Sequence, residues 1–317
     1  MSTANAISPP SGEQHEIRRG AHRAIVTEVG ATLRHYAVDG LDVIDGFDAG
    51  AWSPGGRGQV LAPWPNRLDG GQYRFEGRDG QAALDEPALQ NAIHGLVRWL
   101  PWRTASKSVD GIELACVLHP QPGYPWQLEL QVGYRLDDRG LTVSFHARNA
   151  SEVPAPFGIG FHPYLTVGME IDGAVLHVPA RRYLLTDDRA LPIGDRPVAG
   201  SDRDFTAPRP IGPVRLDAGY TDLLRGADGL ARAVVATPDD GRRVTLWADA
   251  SFKYFMVYTG DTLKDVARRR RAVAIEPMTC PPNALRSGTD LLKLRSGQFV
   301  QGRWGLTAEW RGAPGPA

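Results

Sequence analysis

The sequence predicts an all-β protein, one large antiparallel β-sandwich, and three observations carry that reading. Apolar and polar residues alternate over long runs between Ile112 and Asn149, the period of a strand with one buried face. Clusters of Gly, Pro, Asp and Asn separate one short run from the next along most of the chain, as between strands of a sandwich or barrel. No stretch holds a convincing long helical period; only Glu86 to Ile93 has room for a turn or two. Many strands with so little helix leave sheet packed on sheet as the way to bury a core.

Taken in order, residues 1–17 are polar, with Pro9-Pro10, and are expected to form a disordered leader; residues 312–317 form a tail. A single domain spans 18–311. Ile25 to Ala37 reads as two strands broken at Gly30, and Leu41 to Ile44 as a short third. Ala51 to Leu61, rich in Gly, Pro and Ser, is a loop leading into Ala62-Pro-Trp-Pro-Asn-Arg67, which Pro63 and Pro65 hold extended. Tyr73 to Phe75 and Ala82 to Leu84 flank a Gly77-Arg-Asp-Gly80 turn. Ile112 to Leu118, Trp126 to Leu136 and Leu141 to Ala147 form a meander, with Cys116 on its apolar side. Further strands are expected at 175–178, 183–185, 233–237, 244–248, 252–258, 273–275, 299–304 and 306–310, separated by turns such as Pro238-Asp-Asp-Gly241.

Composition excludes several classes. With 36 basic and 36 acidic residues the formal net charge is zero, so nothing pulls the whole chain toward nucleic acid or an anionic membrane. The run Arg268-Arg-Arg-Arg271 reads as a solvated strand entrance, with an anion site as the alternative. Cys116 and Cys280 lie far apart without a C-x-x-C pattern, and Met1 to Gln14 shows no secretory signal, so a cytoplasmic protein is expected. Nor does the sequence contain a complete dinucleotide fingerprint, a P-loop, an H-E-x-x-H pair or a G-x-S-x-G elbow.

What remains is a set of polar residues in unusual settings. Val153 to Met169 carries no Asp, Glu, Lys or Arg and is broken by Pro154, Pro156 and Pro163, so it is no membrane helix; it holds one imidazole, His162. Asn66-Arg67 follows two prolines, His94 precedes a glycine turn, and Asp222 follows Tyr220-Thr221. Glu276 ends an apolar strand just before Pro277. Each has a structural alternative: Arg67 bonding loop carbonyls, His94 and His162 as turn residues, Asp222 as a turn cap, Glu276 as a paired structural carboxylate.

Together, Pro63-Trp-Pro-Asn-Arg67, Asn91-Ala-Ile-His-Gly-Leu-Val-Arg-Trp99, Phe157-Gly-Ile-Gly-Phe-His-Pro-Tyr164, Tyr220-Thr-Asp222 and Ile275-Glu-Pro-Met-Thr-Cys-Pro-Pro-Asn-Ala284 resemble, in their order, the motifs of aldose 1-epimerases (galactose mutarotases), in particular the bacterial aldose 1-epimerase-like branch. The resemblance covers about residues 18–311. It implies a galactose mutarotase-like supersandwich, interconversion of the α and β anomers of a free aldose, and no cofactor; no ligand spacing among His94, His162 and Glu276 supports a metal. It also implies Glu276 as general base, His162 as general acid, and Arg67, His94, Asp222 and Asn66 as sugar-binding groups. The sequence departs from the best-known galactose mutarotases after His94, where Gly-Leu-Val-Arg-Trp replaces Gly-Gly; that bears on sugar preference.

Opening a hemiacetal needs a base for the C1 hydroxyl proton and an acid for the ring oxygen, and a carboxylate and an imidazolium suit both tasks. A bell-shaped pH profile is expected; burial alone would move the two pKa values together and narrow it, and neighbouring charges are expected to keep them apart. A hexose 6-phosphate epimerase, with Arg98 or the 268–271 run binding phosphate, and a non-catalytic sugar-binding protein are the alternatives.

Overall fold

In the computed structural model of the chain, which describes residues 8–311, the alternating runs fold as a meander. Gly111–Leu118, Leu128–Asp137 and Gly140–Asn149 pair in register, with Val132 opposite Phe145. Along Leu128–Asp137 the apolar residues are buried while Glu129, Gln131 and Arg135 face solvent, so one face of the sheet is apolar and the other wet. The meander extends into a nine-stranded antiparallel sheet. Its order is Arg103–Lys107, Gly111–Leu118, Leu128–Asp137, Gly140–Asn149, Phe299–Trp310, Arg242–Ala248, Ala231–Ala236, Val175–His177 and Arg209–Pro210.

Phe299–Trp310 is one strand where two were expected. The apparent break is Gly305, which lies between Thr142 on one side and Trp247 on the other. A Cβ there would come within 2.4 Å of both Leu141 O and the Trp247 ring. Glycine marks a close approach at that point, not a turn.

The second large sheet runs Pro192–Pro197, Ala180–Thr186, Asp217–Leu223, Tyr254–Tyr258, Val273–Met278, Gly160–Phe161 and Val60–Leu61, with Tyr164–Leu165 also paired to Val273–Met278. Phe145 and Trp304 from the first sheet meet Phe161 of the second, at ring separations of 6.4 and 5.4 Å. The two apolar faces therefore close on a common core, which the sandwich reading anticipates. Deleting an indole such as Trp304, 1% exposed, would cost about 3–5 kcal/mol.

The expected leader does not hold through residue 17. Gln14–Arg19 forms the first strand, paired with His22–Thr27, and Ile17 is buried. A strand needs only one well-packed apolar face, and Ile17 and the buried His15 supply it here. Residues 1–7 and the 312–317 tail lie outside the described residues. Glu86 to Ile93 contains a single 3-10 turn, Pro87–Leu89, before the strand Asn91–Ile93. Among the described residues the only α-helix is the single turn Ala284–Ser287, and no helix is long and apolar enough to cross a membrane.

Candidate active site

Glu276 sits in Val273–Met278, a strand whose six residues are all buried. Val273 and Ile275 belong to the main core, so alternation turns Glu276 to the other face. There it lies between Ala274, clustered with Tyr164, and Met278, clustered with Tyr254 and Met256. Met256 is also its direct cross-strand partner. A carboxyl ringed by apolar neighbours loses most of its hydration.

His162 follows the two-residue strand Gly160–Phe161, and its backbone is tied at both ends. Its N–H donates to Gln59 O at 3.2 Å and its carbonyl accepts from Gly58 N–H at 2.8 Å. The ring lies parallel to Tyr164, centroids 4.9 Å apart. Gly56, at φ +78°, closes over its edge; a Cβ there would come within 2.7 Å of His162 Cδ2. Only glycine allows that approach. Nε2 of His162 stands 3.3 Å from Oε1 of Glu276, and Oε2 of Glu276 is buried without a hydrogen-bond partner.

Burial pushes the Glu276 carboxyl well above the usual carboxylate range, with Asp217 adding to the rise and Arg67 opposing it. Burial pushes His162 down to about 3, helped by the positive charge of Arg57. The Arg57 guanidinium lies 4.2 Å from the centre of the Tyr164 ring that His162 stacks on. Asp45 holds Arg57 at 2.9 Å and also pairs with Arg268 at 3.3 Å.

Asn66 and His94 brace one another from two left-handed turns, φ +57° and +65°. His94 N–H donates to Asn66 O at 2.9 Å, and Asn66 N–H donates to His94 Nδ1 at 3.3 Å. That second bond leaves the neutral ring's proton on Nε2. Burial, with His162 close by, holds His94 well below its ordinary pKa. Each residue's left-handed backbone is thus held by a hydrogen bond to the other. Arg67 donates three bonds to Glu86 and one to Asp217, the last at 3.3 Å.

Glu276, His162, His94, Arg67 and Asn66 thus line one cavity of about 800 Å³. Asp222 does not. It is exposed and pairs with Arg181 at 3.5 Å. The carboxylate that reaches the cavity is Asp217, at the start of the same strand, Asp217–Leu223. Cross-strand pairing sets this: Gly219 is opposite Met256, which is opposite Glu276, so Asp217 shares the Glu276 face. Asp222 is five residues further on, roughly 16 Å along a strand and of opposite parity. A sequence signal for Asp217 exists in hindsight: it is the acid that opens the Leu216, Ala218, Tyr220 alternation.

Sequence reasoning also missed Arg57, hidden in what reads as a Gly/Pro loop, and the clamp on Arg67 by Glu86. The four-arginine run is not wholly outside the site. Arg268 lines the cavity and Arg270 is tied to Asp172 and Asp261, while Arg269 and Arg271 face solvent. Among the described residues, no three His, Cys, Asp or Glu side chains converge to hold a metal ion.

Comparison with known proteins gives this geometry a lineage. The uncharacterized protein YihR of Escherichia coli K12 is 33% identical over 290 residues, 91% of each chain. Galactose mutarotase of Homo sapiens is 26% identical over 166 residues, 49% of this chain and 46% of that protein. Two solved structures share the fold. The GalM/aldose epimerase homologue of C. elegans superposes with a TM-score of 0.83 at 18% identity, over 94% of this chain and 99% of that one. The galactose 1-epimerase of Lactobacillus acidophilus NCFM does so with 0.77 at 19% identity, over 94% and 95%. The sequence profile of the aldose 1-epimerase family matches residues 13–307, nearly the whole described chain, and the chain belongs to that family.

Proposed function

We propose that the protein catalyses the anomeric interconversion of a free aldose such as glucose or galactose by acid–base ring opening, with Glu276 as base and His162 as acid. The observation that carries this reading is the buried pair itself. A carboxyl and an imidazole 3.3 Å apart face one cavity, with Glu276 Oε2 lacking any partner. A purely binding site needs neither group so desolvated.

In the ring-opening step Glu276 takes the proton from the C1 hydroxyl. The freed O–H electron pair forms the C1=O1 bond, the C1–O5 bond breaks, and O5 takes the proton of His162. The pair, which began as carboxylate and imidazolium, now holds its one proton on Glu276. Rotation about C1–C2 presents the other face of the aldehyde. Closure runs the transfers in reverse, and the pair is reset with no net gain or loss of protons. Neutral His94 offers its Nε2 proton to a sugar hydroxyl, and Asp217 and Arg67 offer an acceptor and donors. Each positioned proton transfer is worth roughly 10²–10⁴-fold. The two free, buried cysteines support a reducing, cytoplasmic setting for the reaction.

The 6-phosphate alternative gains little support, because the arginines of the wall already have acidic partners. Arg98 pairs with Asp85 and Arg268 with Asp45. Initial rates of optical rotation with α-glucose, α-galactose and α-glucose 6-phosphate separate the readings. Acceleration on the free sugars is expected. Acceleration on the phosphate alone, or saturable binding with no acceleration, contradicts the proposal.

A further inference from the structure

The cavity has a feature that chemistry at C1 does not use. Trp52 and Trp99 line it while 70% and 49% exposed. Trp64, Trp102, Trp126 and Trp304 are 2% exposed or less, so the sequence does not lack ways to bury an indole. Two large apolar side chains left in water beside a polar cavity mark a surface that something apolar covers. Both indoles also border a small cleft beside Phe47 and Gln59, so they are neighbours. Trp99 is held in place: the Arg98 guanidinium lies 5.3 Å from its ring centre, and Asp85 pairs with Arg98.

Size points the same way. A free hexose has a dozen heavy atoms and, at no more than water's share of about 30 Å³ each, needs at most about 360 Å³. The cavity offers about 800 Å³. Two linked pyranoses, with nearly twice the atoms, need at most about 690 Å³ on the same scale. Reach fits as well. Trp52 is four residues from Gly56, which touches His162, and Trp99 is five from His94. Extended chain spans at most about 3.6 Å per residue, so the Cα atoms of Trp52 and Trp99 lie within roughly 14–18 Å of Gly56 and His94, the two residues that border His162. That is the length scale of two rings. The cavity wall carries five basic and five acidic side chains, which suits an uncharged ligand.

We propose that Trp52 and Trp99 form a subsite for a second sugar ring, and that the preferred substrate is a reducing disaccharide whose non-reducing ring stacks on these indoles. The axial C–H face of a pyranose is apolar and matches the face of an indole, while its hydroxyl rim stays in water at the cavity mouth. The chemistry at C1 rests on the epimerase reading above; the subsite does not.

The test compares kcat/KM for anomer interconversion of glucose with that of maltose, cellobiose and lactose, in the wild type and in Trp52→Ala/Trp99→Ala. At least one disaccharide should exceed glucose by about tenfold in the wild type. In the double variant that ratio should fall to within about twofold of one. A wild-type ratio near one, or a high ratio that survives the double substitution, overturns the subsite and leaves the epimerase reading standing. If no sugar is accelerated, the epimerase reading fails and calorimetric titration still decides the subsite. Disaccharide binding about tenfold tighter than glucose, lost in the double variant, supports it; equal or absent binding overturns it. Circular dichroism checks that the double variant is folded.

Discussion

Replacing Glu276 by Gln keeps the shape of the side chain and removes the proposed base, and the structure dictates how the pH profile should respond. Burial raises Glu276 and lowers His162 to about 3. The two shifts do not stop at a narrow gap; they pass one another. Between the two values the pair holds a single proton, and burial favours that proton on Glu276. The productive form, carboxylate with imidazolium, contains the same number of protons, so its share does not vary with pH. Attraction across 3.3 Å is worth roughly 5 kcal/mol at an effective dielectric of about 20. Moving His162 from 6.5 to about 3 costs a similar roughly 5 kcal/mol. Desolvation of Glu276 then tips the empty site toward the neutral form, which is also the form that accompanies the open-chain aldehyde. The wild-type rate should therefore be flat between the two values, from near pH 3 up to the raised value of Glu276. It should fall on the acid side only near pH 3, as the pair takes a second proton, and on the alkaline side above the usual carboxylate range. The sequence reading keeps the two values apart by neighbouring charges; in the structure burial instead carries them past one another. Glu276→Gln should lose about 10²–10⁴-fold in rate, and its residual activity should follow His162 alone. The assay is the initial rate of optical rotation across pH, corrected for the spontaneous reaction. Near wild-type rates with both flanks intact would refute the assignment.

Other consequences are testable separately. Asp217→Asn should lower kcat/KM roughly tenfold to a hundredfold, the scale of a charged hydrogen bond, while exposed Asp222→Asn should change it less than about twofold. Arg57→Met removes the positive charge that helps lower His162, so the acid flank should move up by roughly one pH unit; Arg57→Lys should restore it, and an unmoved flank would contradict the role of Arg57. Glu276→Gln should also stabilise the fold. A group whose folded pKa is raised contributes stability that is lost as pH rises from its unfolded value of 4.5. The variant's advantage should thus be absent below about pH 4 and grow above it, at roughly 2–4 °C in melting temperature per kcal/mol, read by thermal denaturation at several pH values. Arg269→Gln, at an exposed position, should change activity less than about twofold.

The parts of the molecule legible in the sequence are those that local pattern determines. The meander from 111 to 149 announces itself because each strand has one dry and one wet face. Glu276 stands out as a charge closing an apolar run, and His162 as the one imidazole in a charge-free stretch. Asp217 was illegible because Asp217 and Asp222 both flank the apolar Tyr220 strand. Only its pairing with Tyr258 across the sheet decides which carboxylate reaches the cavity. Arg57 reads as loop because its burial depends on Asp45 and Tyr164, both distant in sequence. The arginine run reads as one solvated block. In the fold its alternate members turn inward, toward partners contributed by residues 45, 172 and 261.

The most direct measurement of the central claim follows anomer exchange at equilibrium, without any need to start from one pure anomer. Magnetisation-exchange NMR on glucose and galactose labelled at C1 reports the rate at which α and β signals interconvert. With wild-type protein the exchange rate should rise in proportion to enzyme concentration. With Glu276→Gln or His162→Asn it should fall by about 10²-fold or more, and the double variant should be hardly slower than the worse single one, because both residues act on one transition state. Exchange no faster than the spontaneous rate in the presence of folded, sugar-binding wild-type protein would contradict the account.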